Sequence, residues 1–138
     1  MYLQSKNEEF AFIGKIIDYQ TPLNNKQCDN AGKIDLLSVK DDKLYVLELK
    51  KEDSEETMLR CVLEGYTYLK TVDLQKLISN FGLSTNLYAN ACPFVFKNGA
   101  QYIEMQEDRK WLFKLMDLLG CKPYYISIEN GKYVVTED

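Results

Sequence analysis

Phe10, Ile13, Ile16 and Ile17 recur at helical spacing and predict a first helix over residues 6–17. Glu8 and Glu9 fall in its first turn, where the helix dipole favours acids. Residues 19–32 contain Pro22, paired asparagines and Gly32, and predict a loop. Residues 34–39 and 44–49 are almost continuously apolar, as strands are when both faces of their sheet are covered; Lys40-Asp41-Asp42-Lys43 joins them. Asp53, with Glu56 three residues on, has the form of a helix start. The helix it opens runs to about Thr71 on a stripe of Met58, Leu59, Val62, Leu63, Tyr66 and Leu69. A second helix over residues 74–80 ends at Gly82.

A short strand is expected over residues 93–97, then a turn at Asn98-Gly99. Residues 104–119 predict a helix with Trp111, Leu112, Leu115, Met116 and Leu119 turned inward and Gly120 as its stop. Asn130-Gly131, between residues 124–128 and 132–136, signals a hairpin. Helix, two strands, long helix, strand, helix and hairpin describe a single α/β (α+β) domain over residues 1–138, without internal repeat or linker.

The first hairpin gathers the chemistry. If it closes symmetrically on Asp41-Asp42, Val39 faces Leu44, Leu37 faces Val46 and Asp35 faces Glu48. Side chains two apart on a strand share a face, so Lys50 falls beside Glu48, about 6.6 Å along. Two acids and a lysine then sit at the open end of an otherwise apolar face. Opposed acids repel, so something positive must compensate: Lys50, or a bound cation. A hard divalent ion such as Mg²⁺ suits one or two carboxylates plus water and phosphate. The bland alternative is a salt-bridge cluster at a sheet end.

Composition narrows the chemistry further. With no histidine, Ser-His-Asp and Cys-His nucleophile systems and histidine-ligated metals are excluded. Cys28, Cys61, Cys92 and Cys121 form no CxxC pair, and reduced core thiols of a cytoplasmic protein are expected. No signal-peptide pattern and no apolar run of membrane length is seen. Neither GxGxxG nor GxxxxGK[ST] occurs. The net charge of −4 argues against general phosphate attraction, and leaves room for a local basic site or an acidic metal centre.

Gly32-Lys33-Ile34-Asp35-Leu36-Leu37, followed by Tyr45-Val46-Leu47-Glu48-Leu49-Lys50-Lys51, resembles the signature of the PD-(D/E)XK nuclease superfamily. In that family a catalytic Asp opens one strand and E-x-K lies on its neighbour. The resemblance implies a restriction-endonuclease-like core: helix, three antiparallel-to-mixed strands, helix, strand, with a central mixed sheet flanked by helices. A strand preceding the motif would be hidden within residues 19–32. It implies a magnesium- or manganese-dependent endonuclease acting on DNA, with RNA as an alternative. Asp35 and Glu48 match the metal ligands, and Lys50 matches the lysine that assists water or phosphate. A first-helix Glu often joins them, with Glu9 the candidate and Glu8 next. Arg60 and Glu64 share a polar face of the following helix with Thr67. Arg60 and Lys51 are the candidate substrate contacts. Ile34 replaces the motif proline. A homodimer would suit cutting of two strands. Since the family includes members without catalysis, the alternative is an inactive interaction module that binds a protein partner.

Overall fold

The computed structural model describes residues 7–22, 33–84 and 87–138. Seven strands form one mixed sheet, in chain order from edge to edge. They are β1 (Glu9–Phe10), β2 (Gly14–Pro22), β3 (Lys33–Lys40), β4 (Lys43–Leu49), β5 (Tyr88–Phe96), β6 (Tyr124–Glu129) and β7 (Lys132–Thr136). The described helices are α1 (Met58–Thr71), α2 (Leu74–Asn80), α3 (Ala100–Met105) and α4 (Lys110–Leu119). β1 to β4 are an antiparallel meander. β5 pairs parallel to β4 and β6 parallel to β5, so the helices serve as crossovers; β7 returns antiparallel. No helix among the described residues is long and apolar enough to cross a membrane.

The sheet has a helical side and a curled side. On the first, Met58, Cys61 and Val62 of α1 pack with Val95, with Leu112 and Met116 of α4, and with Tyr125. Leu37, Leu44 and Val46 pack under Leu77 of α2, with Tyr68 and Leu69 of α1 against them. On the second, Ile13, Ile16, Leu36, Tyr45, Leu47, Phe94, Ile126 and Val135 form one cluster. The strongly coiled sheet draws its ends together there, so that Phe12 stacks on Tyr124 with ring centres 6.5 Å apart.

The expected first helix is replaced by β1 and β2. A turn at residues 11–13 and a bulge between Ile16 and Asp18 break the two-residue alternation of a strand, which leaves apolar positions three and four apart. Gly14 makes the turn workable. Its φ is +78°, and a Cβ there would lie 2.1 Å from the Val39 carbonyl oxygen. The strand before the motif is therefore β2, which starts earlier than the loop expected at 19–32 and ends at Pro22; residues 23–32, including Cys28, lie outside the described residues.

α1 starts later than expected. Thr57, not Asp53, caps it by accepting the Arg60 amide at 3.2 Å. Glu104 accepts the Met58 amide at 3.0 Å and pairs with Arg109 at 2.5 Å. That anchoring accompanies a break in the helix expected over 104–119, which becomes α3 and α4. The buried stripe of α4 is narrower than expected: Leu112 and Met116 face the core, while Trp111, expected inside, faces out. The strand expected over 93–97 begins at Tyr88. The hairpin at Asn130-Gly131 forms as read, both residues having the positive φ that a tight turn there requires.

α1 lies close on the sheet at Gly65, where a Cβ would stand 3.6 Å from the Cβ atoms of Glu48 and Ala91. That is ordinary contact distance, so alanine fits and lowers the backbone entropy of the unfolded chain. Gly65→Ala is expected to raise stability by about 0.5–1 kcal/mol in urea unfolding. Gly65→Leu is expected to cost more than 1 kcal/mol, because its side chain has no space above Glu48.

Candidate functional site

The β3–β4 ladder runs from Lys40–Lys43 to Leu36–Leu47, the symmetric register expected for a tip at Asp41-Asp42. Leu37, Leu44 and Val46 point to the helical layer. Asp35 and Glu48 continue that alternation at the open end. Oδ2 of Asp35 accepts the Leu49 amide at 3.0 Å, which fixes the carboxylate against β4. The Glu48 side chain, 3% exposed, lies against Asp35 and against Glu64 of α1. Cys61, one turn before Gly65 on α1, points its thiol at the Glu48 carbonyl oxygen, 3.7 Å away.

Lys50 follows the end of β4, where its amide still bonds the Phe94 carbonyl at 3.3 Å. Its side chain is 11% exposed. The ammonium is paired with Glu56 and lies 3.4 Å from Glu64. Arg60, 69% exposed, completes the network at 3.2 Å from Glu64 and 3.9 Å from Glu56. The loop bearing Glu56 is held from behind by buried Gln101 of α3, which donates to the Glu56 carbonyl at 2.7 Å and to Ser54 at 3.4 Å.

The electrostatics follow from this crowding. Burial first, then Asp35 and Glu64, push the Glu48 carboxyl up to about 10, against the pull of Lys50. Glu64, although partly desolvated, is held below the usual carboxylate range by hydrogen bonding from Glu48 and by Lys50 and Arg60. Burial works against the charge of Lys50, but Glu56, Glu48 and Glu64 outweigh it and keep the amine protonated. Without an added cation, Glu48 therefore keeps its proton to well above neutral pH. With Glu48 ionised, its Oε2 is buried without a hydrogen-bond partner. An orphaned buried carboxylate oxygen is costly, and either a proton or a cation removes that cost.

Asp35, Glu48 and Lys50 are thus brought together at one sheet end, as the register implies. Glu9 is not part of this group. It lies on β1, paired with Lys15, and Lys15 pairs with Val39 near the Asp41-Asp42 tip, at the other end of β3. With the first helix absent, neither Glu9 nor exposed Glu8 is carried toward Glu48. Arg60 reaches the cluster only through Glu64 and Glu56, and Lys51 is exposed beside it. Glu64 and Glu56 take larger parts than their positions imply: Glu64 reads as half of an i, i+4 pair and Glu56 as a helix-cap residue, whereas both converge on Lys50. Among the described residues no three His, Cys, Asp or Glu side chains are set as a ready-made metal cage. Mg²⁺ commonly needs only one or two carboxylates and retains its waters, so Asp35 and the orphaned Glu48 oxygen fit that ion.

No family model matches the chain, and no curated protein or solved structure matches it.

A group whose folded pKa lies above its unfolded value adds stability below the unfolded value and loses it as pH rises toward the folded one. For Glu48 that window runs from the ordinary 4.5 up to about 10. In EDTA, Glu48→Gln is therefore expected to match the wild type near pH 4. It should exceed it increasingly at higher pH, by on the order of 5 °C in melting temperature at pH 7. Equal melting curves at pH 7 and 9 would show that Glu48 is not held neutral.

Proposed function

We propose that this chain is a metal-dependent phosphodiesterase of the PD-(D/E)XK type that hydrolyses nucleic acid. The observation that carries this reading is the Glu48 carboxylate: buried, beside Asp35 and near Lys50, with an oxygen that has no donor. Support also comes from the order of elements. Three antiparallel strands, β2 to β4, precede the long helix α1, and β5 follows parallel to β4. This agrees with the restriction-endonuclease-like core that the motif implies, except that no helix precedes β2 among the described residues.

Asp35 and Glu48 would hold the ion; when bound, it supplies a more acidic water and neutralises charge developing on a phosphodiester. The chain's own groups do the rest. The Leu49 amide keeps Asp35 oriented. Lys50, a permanent cation at the mouth, donates hydrogen bonds to a phosphate oxygen or to the attacking water once it leaves Glu56. Arg60, exposed and adjacent, is suited to a neighbouring phosphate, with Lys51 beyond it. α1 covers Glu48, and the low exposure of its carboxylate strengthens its interaction with a cation.

A second reading has its own observation. Lys50 is already occupied by Glu56 and Glu64, as it would be in an inactive domain that keeps the cluster for structure and binds a protein partner.

One experiment separates the two readings. Supercoiled plasmid and single-stranded DNA and RNA are incubated with Mg²⁺ or Mn²⁺, and cleavage is followed on gels. The nuclease reading expects cleavage abolished by EDTA and reduced about 100-fold or more by Asp35→Ala and by Lys50→Ala. It also expects Mg²⁺ or Mn²⁺ to raise the melting temperature of the wild type but not of Glu48→Gln. Absence of both cleavage and metal stabilisation would support the inactive module.

A further inference from the structure

The outer face of α4 carries the chain's only tryptophan, Trp111, which is 73% exposed. The ammonium groups of Lys110 and Lys114 lie over its ring, 5.9 and 5.5 Å from the centre. Leu118, two turns along from Trp111, is 76% exposed. The exposure does not reflect a loosely held helix, because Leu112 and Met116 anchor α4 in the core shared with α1. Among the described residues neither Lys110 nor Lys114 forms an ion pair, whereas Lys50, Arg60, Arg109 and Lys122 all do.

We infer that this face binds single-stranded nucleic acid, with Trp111 as a base-stacking platform and Lys110 and Lys114 on the flanking phosphates. A large exposed ring with two ammonium groups held against it, neither in an ion pair, matches an unstacked base between two phosphates once the flexible lysines swing from the ring to the phosphates. Stacking on an exposed face needs a base already free of its partner strand, which favours single strands over duplex. A protein partner with an apolar face fits less well, because it would strip water from two lysines without pairing them.

Position supports the same occupant. Arg109, immediately before α4, binds Glu104, which bonds the first amide of α1, and Gln101 of the same helix as Glu104 holds the backbone of Glu56. The Trp111 end of α4 is thus tied to the loop that carries Lys50's partner. A strand held at Trp111 enters at the end of the molecule where Lys50 lies. The inference deepens the nuclease reading by naming a substrate class, and it is measured without cleavage.

Because Trp111 is the sole tryptophan, its fluorescence reports the site directly. Wild-type protein in EDTA is titrated with oligothymidylate at several salt concentrations. Expected are quenching of the indole, weaker binding with rising salt, and weaker binding of a duplex of equal length. Trp111→Ala, followed by anisotropy of a labelled oligonucleotide, should lose about tenfold or more in affinity, and Trp111→Phe should recover part of it. Lys110→Gln with Lys114→Gln should reduce the slope of log affinity against log salt by about 1.4, the value for two phosphate contacts on a single strand. An unquenched indole, an unchanged affinity in Trp111→Ala, or a blue shift that grows with protein concentration alone (self-association) would overturn the proposal. Cleavage by wild type with no quenching defeats this inference and spares the nuclease; quenching without metal-dependent cleavage does the reverse.

Discussion

The arrangement of this molecule centres on a carboxylate placed where water cannot reach it. Glu48 sits on a central strand, beneath α1, with Asp35 on one side and Glu64 above. Ionising it there costs free energy unless a positive charge comes into contact. The nearest candidate within the chain, Lys50, is drawn away toward Glu56 and Glu64, which are more exposed. The fold thus keeps an acid whose charge is not fully compensated from within. Such a group lowers stability, and a fold under selection for stability alone would replace it with an apolar residue of similar size. Its presence, buried beneath α1, is the physical argument for a ligand.

Much of the scaffold around that group was legible in the sequence, for an identifiable reason. A two-residue tip at Asp41-Asp42 fixes the β3–β4 register, and a one-residue slip would turn Leu37, Leu44 and Val46 away from the helices. The nearness of Asp35 to Glu48 therefore followed from local rules, as did α2 and the Asn130-Gly131 hairpin. The start of the chain misled because a turn and a bulge made an irregular strand look like a helix; the conformation of Gly14 is set by the Val39 carbonyl, which is distant in sequence.

The roles of Glu56, Glu64 and Trp111 were not legible, because each depends on tertiary anchoring. Glu56 reads as a helix-cap residue until Thr57 is seen to cap α1 and Gln101 to hold the loop ahead of it. Glu64 reads as half of a surface pair with Arg60 until α1 is docked over Glu48. Trp111 reads as core because it adjoins the apolar stripe of α4, until the packing of that helix against α1 is seen to bury Leu112 and Met116 and to leave the indole out. In all three cases a local pattern was compatible with two arrangements, and a contact from another element selected one.

The proposed chemistry must also be reconciled with a net charge of −4. A negatively charged domain repels a polyanion at long range, but screening confines that repulsion to about 10 Å at ordinary salt. Within that distance local groups decide. At the candidate centre the carboxylates of Glu56 and Glu64 occupy Lys50 in the way phosphate oxygens would, so an arriving phosphodiester exchanges one set of anionic oxygens for another. Lys50 need not be desolvated anew, and Arg60 lies beside the released carboxylates. At α4 Lys110 and Lys114 have no carboxylate partner among the described residues and rest against the indole instead. A chain that is acidic overall can therefore engage nucleic acid only through such local cations.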